Sequence, residues 1–305
     1  LVKDVLLRLA GKSEKAVRQL ELTYGGGKTH TLVTLYHLVH DPKSLPKTPA
    51  VDEFLNHAGI KPPKTRVAVL AFDKLDVEKG MEILHPKGNA HWLKQPWSVL
   101  AWQLAGEKGL KLLHPDGKAE ERESAPAENL MKDLLSLPAH EGLATLVLID
   151  EVLMYAREKA GLDQVWRGRL QNFFQYLTQA ATKVDNCAVV ASLLATDTKK
   201  SDTLGREIIQ ELSAIFNRER EEAIQPVTKD DVAEVLRRRM FKQESIKDSS
   251  AFRAHVVAAV KNIGTLDEQT AKAGKIAEDR YFASYPFHPD LTDVLYSKWT
   301  NLPNF

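Results

Sequence analysis

The segment QLELTYGGGKTHTLVTLY, residues 19–36, joins three glycines to a Lys–Thr pair. Gly27-Lys28-Thr29 matches the end of the P-loop pattern, which is Gly, any four residues, then Gly-Lys-Ser/Thr; Leu22 stands where the first glycine belongs. Glycines let backbone N–H groups point inwards around a phosphate, at the positive end of the following helix. The alternative is a strand-to-helix turn that binds no ligand.

An apolar run precedes the three glycines and the Lys–Thr pair, and a helix-like run follows them; this order favours the phosphate-binding interpretation. Lys28 is then expected to bridge the terminal phosphates of ATP, and the Thr29 hydroxyl to coordinate Mg²⁺. The predicted nucleotide-binding residues are Tyr24, Gly25, Gly26, Gly27, Lys28, Thr29 and His30.

The second motif is acidic. It lies in TLVLIDEVLMYARE, where the apolar run 146–149 ends in Asp150-Glu151. A buried strand of this kind delivers both carboxylates to the carboxyl edge of a parallel sheet, where ligands of such sheets bind. Asp150 is predicted to hold the metal shell and Glu151 to polarise the attacking water. The alternative is that the pair caps the next element, but the order of the two motifs favours the nucleotide site.

A third apolar run, CAVVASLLATDTKK, ends in polar residues that we expect between the two motifs. Thr196 and Asp197 are the predicted residues that contact the γ-phosphate or the water, and Ser192 is a weaker candidate. The alternative is the simple start of a loop.

Strands separated by long crossovers, followed by a helical tail, predict an α/β fold: a parallel sheet flanked by helices with a mainly helical C-terminal lid. The strands are expected at AVRQLELT, TRVAVLAF, LATLVLIDE and NCAVVASLLATD, and a long helix near 163–183. Pro226 marks the predicted boundary between a core, 1–225, and a lid or further module, 226–305.

Composition excludes several other classes of protein. The 305 residues carry 42 basic and 41 acidic side chains, so net charge points to neither nucleic acid nor an acidic partner. The single cysteine, Cys187, cannot form an intramolecular disulfide, which fits a cytoplasmic location. No apolar stretch approaches the roughly 20 residues of a membrane helix. Because the chain opens at Leu1, we expect a piece of a longer protein.

These residues together resemble the AAA+ group of P-loop ATPases, whose glutamate after the aspartate marks the additional-strand (ASCE) branch. Four segments resemble a prokaryotic family of large AAA+-like ATPases from phage-defence and methyltransferase loci, with BREX-type ATPases as relatives. They are YGGGKTHTLVTLYHLV, VLIDEVLMYAR, VAEVLRRRMF and YFASYPFHPDLTDVLYSKW. The resemblance implies a homo-oligomer or a complex with defence proteins, and it leaves contact with DNA open.

The same resemblance suggests arginines that act on a neighbouring subunit's γ-phosphate, and Arg218 and Arg220 in FNRERE are the candidates. Sensor arginines are expected among residues 237–239. The alternative for each arginine is a solvated helix charge. We expect the segment YPFHP to have a structural role. The alternative is that His288 senses the nucleotide.

The leading hypothesis is a Mg²⁺-dependent ATPase that powers or licenses a DNA-directed defence complex. Its rival is a regulatory switch or scaffold that binds ATP and turns over slowly. A kinase on a P-loop core is disfavoured, because Asp-Glu followed by a lid resembles hydrolases.

Overall fold

The structure is a computed structural model that describes residues 1–20, 27–84, 90–192, 203–219, 231–246 and 248–297. These residues form two compact units, one within 1–219 and one within 231–297. The predicted boundary at Pro226 lies outside the described residues. None of the helices in the described ranges is both long enough and apolar enough to cross a bilayer.

The first unit alternates strands and helices. Its strands are β1 (Val17–Gln19), β2 (Thr65–Ala71), β3 (Met81–Leu84), β4 (Ala90–Leu93), β5 (Ala144–Asp150) and β6 (Cys187–Ser192). Its helices are α1 (Val2–Leu9), α2 (Lys28–His40), α3 (Pro49–Ala58), α4 (Pro96–Ala105), α5 (Glu107–Leu113), α6 (Glu128–Ser136), α7 (Val152–Leu162), α8 (Gln164–Thr182) and α9 (Thr203–Glu219).

Four strands form one parallel sheet in the order β1-β6-β5-β2. The strand order differs from the chain order because helical crossovers carry the chain from one strand to the next, as parallel pairing requires. The prediction of an α/β fold with a parallel sheet flanked by helices is confirmed at this level. The sheet brings the carboxyl ends of β5, β6 and β2 to one edge.

Strand β5 shows why the sheet is covered on both faces. Leu146 and Leu148 enter one apolar core, together with residues of α1 and α2, whereas Val147 and Ile149 enter the other, with residues of α4 and α6–α9. Successive side chains of a strand point to opposite faces, so a strand that is apolar throughout needs cover on both. This alternation directs Asp150, the next residue in the series, to the α2 face.

Two features of the first unit were not predicted. Strands β3 and β4 form an antiparallel hairpin outside the main sheet. Helix α7 lies between β5 and the predicted helix at 163–183, where no element was predicted. Asp163 lies between α7 and α8, and its side chain accepts a hydrogen bond from the N–H of Val165 at 2.9 Å.

The second unit is helical, as predicted for the C-terminal part. It comprises α10 (Val232–Met240), α11 (Gln243–Ile246), α12 (Phe252–Gly264), α13 (Glu268–Ala273), α14 (Lys275–Ser284) and α15 (Pro289–Ser297). Val256, Val260 and Ala277 form its small buried core, against which the rings of Tyr281 and Tyr285 pack.

Candidate functional site

The start of α2 is set by Gly27, which has φ = 80° and precedes the first helical residue, Lys28. This left-handed conformation is strained for a residue with a side chain but free for glycine, so glycine is favoured here. The Gly27 carbonyl accepts hydrogen bonds from the N–H and the hydroxyl of Thr31, at 2.9 and 3.0 Å. Lys28 and Thr29 therefore occupy the first turn, where backbone N–H groups lack helical partners.

Thr29 and Asp150 meet although 121 residues separate them in the chain. The Thr29 hydroxyl donates a hydrogen bond to the Asp150 carboxylate at 3.2 Å. Asp150 ends β5 and its side chain points to the α2 face, so the sheet and the helix together fix this contact. The two sequence motifs predicted to share a site are thus in direct contact.

A hydroxyl and a carboxylate form an oxygen donor set that suits Mg²⁺, which is commonly bound by one or two carboxylates together with substrate phosphates and water. Within the described ranges, no group of three or more His, Cys, Asp or Glu side chains could hold a metal alone. The pair Thr29–Asp150 supplies only part of the oxygen ligands that Mg²⁺ takes.

Glu151 has an unusual backbone conformation between β5 and α7. Its φ of 55° is the only positive value at a non-glycine residue in the described part of the chain. Left-handed conformations of this kind cost roughly 1–2 kcal/mol and cluster at functional sites. Its N–H donates to the Asp150 carboxylate at 3.1 Å, which ties the two acidic residues together.

Lys28 and Glu151 influence each other electrostatically. Burial lowers the pKa of the half-buried Lys28 ammonium, and the carboxylates of Glu151 and Asp150 offset part of that shift. Burial also raises the pKa of Glu151, and so does the charge of Asp150, while Lys28 opposes this shift. A poised carboxyl next to an ammonium and a second carboxylate is typical of sites that move protons or bind charged ligands.

Ser192 lies beside Asp150, because β5 and β6 pair these two residues in register. Ser192 is 1% exposed, and its hydroxyl has no hydrogen-bond partner among the described residues. An unpaired buried hydroxyl is costly and calls for an explanation. The preferred candidates from the sequence, Thr196 and Asp197, lie outside the described residues.

A cavity of about 590 Å³ adjoins this cluster on the α2 face of the sheet. Thr29, Asp150 and Glu151 form one end of it, and apolar side chains of α2, β2 and β5 form most of the remainder. Asp73, which was not predicted from the sequence, lines the cavity and contributes to the raised pKa of Glu151. Its position directly after the buried strand β2 was the available signal.

The other candidates do not line the cavity or lie outside the described residues. Tyr24, Gly25, Gly26 and Arg220 fall outside the described residues. His30 is exposed on α2, next to Thr29, and does not line the cavity. Arg218 is exposed in the last turn of α9 and likewise does not line it.

The arginines and the histidine of the second unit make local contacts. Arg237 pairs with Glu234 at 2.8 Å and donates to the carbonyls of Ala283 and Tyr285, at 3.0 and 2.6 Å. One Nε2–hydroxyl hydrogen bond of 2.6 Å joins His288 to Tyr281. These contacts favour the structural interpretation of both residues.

The fold and the site together define a mixed α/β protein with a parallel sheet, whose carboxyl edge gathers a helix-start lysine and threonine with two acidic residues. The chain belongs to the DUF499 family, since the DUF499 N-terminal domain matches residues 1–223. No curated protein and no solved structure matches the chain.

Proposed function

We propose that the chain is the core of a Mg²⁺-dependent P-loop ATPase of the AAA+ type. The observation that carries the proposal is the Thr29–Asp150 hydrogen bond, beside which Lys28 interacts electrostatically with Glu151 and Asp150. Two motifs that were assigned to one site from sequence alone meet at the sheet edge where ligands of parallel sheets bind.

The strand order supports the same class. Strand β6 lies between β1, which precedes the glycine-rich segment, and β5, which carries Asp150. An extra strand between these two is what the resemblance to the additional-strand branch implies.

Each residue has a distinct task in the proposed reaction. Lys28 neutralises charge on the terminal phosphates, and Glu151 accepts a proton from the attacking water. Thr29 and Asp150 would hold the metal, which neutralises charge developing on the transferred phosphoryl group when bound. Catalysis of this kind needs positioning and charge stabilisation more than covalent chemistry, and these four side chains supply the phosphate charge partner, the metal ligands and the base.

The wider role rests on the resemblance and belongs to the same proposal. ATP turnover would power or license a DNA-directed complex, as in phage-defence systems, with further copies of the chain or defence proteins as partners.

Lys28→Ala tests the nucleotide site. We expect ATP affinity, measured by calorimetry with Mg²⁺, to fall roughly 10- to 100-fold, the worth of a charge-assisted hydrogen bond. Folding should be retained, because burial already disfavours the Lys28 charge. Lys43→Ala, at an exposed position beyond α2, is the control. If Lys28→Ala bound ATP as tightly as the parent, the phosphate-binding assignment would be wrong.

Ser192→Ala tests whether the buried hydroxyl serves the site. We expect ATP hydrolysis to slow about two- to tenfold, the worth of one neutral hydrogen bond, while stability to urea stays equal or rises. Thr145→Val is the matched control on β5, because its hydroxyl donates to the Leu135 carbonyl at 2.8 Å. That variant should lose about 1 kcal/mol of stability and keep its turnover. A Ser192→Ala enzyme with unchanged turnover would exclude Ser192 from the site.

A further inference from the structure

The cavity beside Glu151 is larger than the space that one attacking water molecule would occupy. Its volume of about 590 Å³ falls within the range of roughly 300–1,000 Å³ found for small-molecule sites. It extends along α2 from Thr29 to His37, two turns beyond the residues assigned to phosphate and metal. The far part therefore has no task in the proposed phosphate and metal chemistry.

The far part of the cavity is apolar and partly aromatic. Leu32 and Val33 of α2 line it together with Val69 of β2 and Leu148 of β5. Tyr36 adds an aromatic ring that is stacked on His40, with ring centres 4.9 Å apart. A wall of this composition binds the apolar body of a ligand, and a tyrosine ring also attracts a cation.

The end of the cavity near the sheet edge is acidic. Asp73, Asp150 and Glu151 line it, and Lys74 is the lining ammonium. Lys74 pairs with Asp73 at 2.9 Å, but both side chains are largely exposed, so this pair is weak. Among the described residues, three carboxylates face two ammoniums, because Lys28, although outside the lining, also acts on Glu151 and Asp150; this end therefore keeps a negative potential that favours a cationic ligand group and disfavours an anionic one.

We propose that this cavity is a binding site for a small organic cation, an aliphatic or aromatic body that carries an ammonium group. The body lies against Leu32, Tyr36 and Val69, and the ammonium lies between the carboxylates of Asp73 and Glu151. A ligand in this position adjoins the carboxylate assigned to the attacking water. A bound ammonium would engage Glu151 and slow hydrolysis, a consequence that rests on the proposed function, whereas binding itself does not.

Three probes of one shape test the charge preference: phenylpropylamine, phenylpropanol and phenylpropionate, titrated by calorimetry at neutral pH without nucleotide. We expect the amine to bind about tenfold more tightly than the alcohol, the effect of one charge-assisted hydrogen bond, and the carboxylate to bind most weakly. Equal affinities for the three probes, or no saturable binding by any of them, would overturn the proposal.

Two variants locate the site. Val33→Trp fills the cavity from a position that is 49% exposed on α2, and it should weaken the amine and the alcohol more than tenfold each. Val165→Trp, at a position of α8 that is 65% exposed, is the control and should leave both affinities unchanged. Asp73→Asn should weaken the amine about three- to tenfold and spare the alcohol, with Asp116→Asn in an exposed loop as its control. Unchanged amine binding in Val33→Trp would place the ligand elsewhere and contradict the proposal.

The Lys28→Ala variant separates the two proposals. It should bind the amine at least as tightly as the parent, because Lys28 does not line the cavity and its removal takes away a positive charge near Glu151. If the parent protein binds the amine but hydrolyses no ATP, the cation site is supported and the proposed ATPase function is wrong. ATP hydrolysis with no amine binding would do the reverse.

Discussion

Glu151→Gln is expected to retain ATP and to lower the turnover number by about 10²-fold or more, the lower end of what a general base contributes. Glutamine has the shape of glutamate but cannot take a proton from water. It also adopts the left-handed backbone at this position with the same strain, since only the carboxylate changes. Steady-state phosphate release measures turnover, and calorimetry with Mg²⁺ measures ATP affinity.

Glu158→Gln is the matched control for this substitution. Residue 158 is exposed on α7, two turns beyond Glu151, so the same chemical change there should leave turnover unaltered. If Glu151→Gln hydrolysed ATP at the parental rate, Glu151 would have no catalytic role. If the parent and Glu151→Gln both bound ATP tightly and hydrolysed little of it, the alternative of a nucleotide-binding switch would be supported.

The raised pKa of Glu151 gives the same variant a pH signature in stability. Below the ordinary pKa of a glutamate, the carboxyl is neutral in the folded and unfolded chain, so it favours neither state through its charge. Between that value and the raised pKa, the folded chain keeps a proton that the unfolded chain releases, so stability falls as the pH rises, and the loss is complete above the folded pKa. We therefore expect Glu151→Gln to be more stable than the parent in urea at neutral pH, with the gain vanishing in acid.

The contact between the two motifs could be predicted from sequence because each motif fixes its own element. A glycine-rich turn leads into α2, and an apolar run that ends in two acids is a buried strand whose end faces the sheet edge. Since carboxyl ends of parallel strands share one edge, Thr29 and Asp150 could be placed at the same edge of the sheet. The hydrogen bond between them required only that α2 begin above β5.

Asp73 could not be predicted in the same way, because its role depends on strand order. The residue follows β2, and only the pairing of β2 with β5 brings it beside Glu151. Hydrophobic periodicity identifies strands but does not say which strands are neighbours. The hairpin of β3 and β4 was missed for a related reason: its strands have four residues each, too few for a clear alternation.

Ser192 shows how a burial pattern alters a choice between candidates. The apolar run continues beyond it, so the sequence favoured the more distant Thr196 and Asp197 as the polar end of the strand. The register with Asp150 and the unpaired hydroxyl single out a residue that looks like part of the core in sequence.

Removal of the Arg218 side chain is expected to lower ATP turnover roughly 10³-fold in an assembled protein, the effect of an arginine supplied to a neighbouring phosphoryl-transfer site. The structure presents this side chain on a well-anchored helix. Ile215 and Phe216 are buried, and Arg218 follows them in the last turn of α9 with its side chain exposed. Arg167 of α8 holds the same helix through Glu207 and Glu211, at 3.0 and 2.6 Å. Arg206→Ala, at the other end of α9, is the matched control and should stay active.

A mixing experiment decides whether Arg218 acts in a second subunit. Lys28→Ala and Arg218→Ala, each inactive alone, should regain part of the turnover when combined at concentrations that favour assembly, because some interfaces then join an intact Lys28 to an intact Arg218. A mixture of Lys28→Ala with Glu151→Gln should regain none, since both residues lie in the site of one subunit and no interface can combine them. If the first mixture recovered no more than the second, and light scattering showed a monomer with ATP, the shared site would be excluded and Arg218 would be a solvated charge at the end of α9.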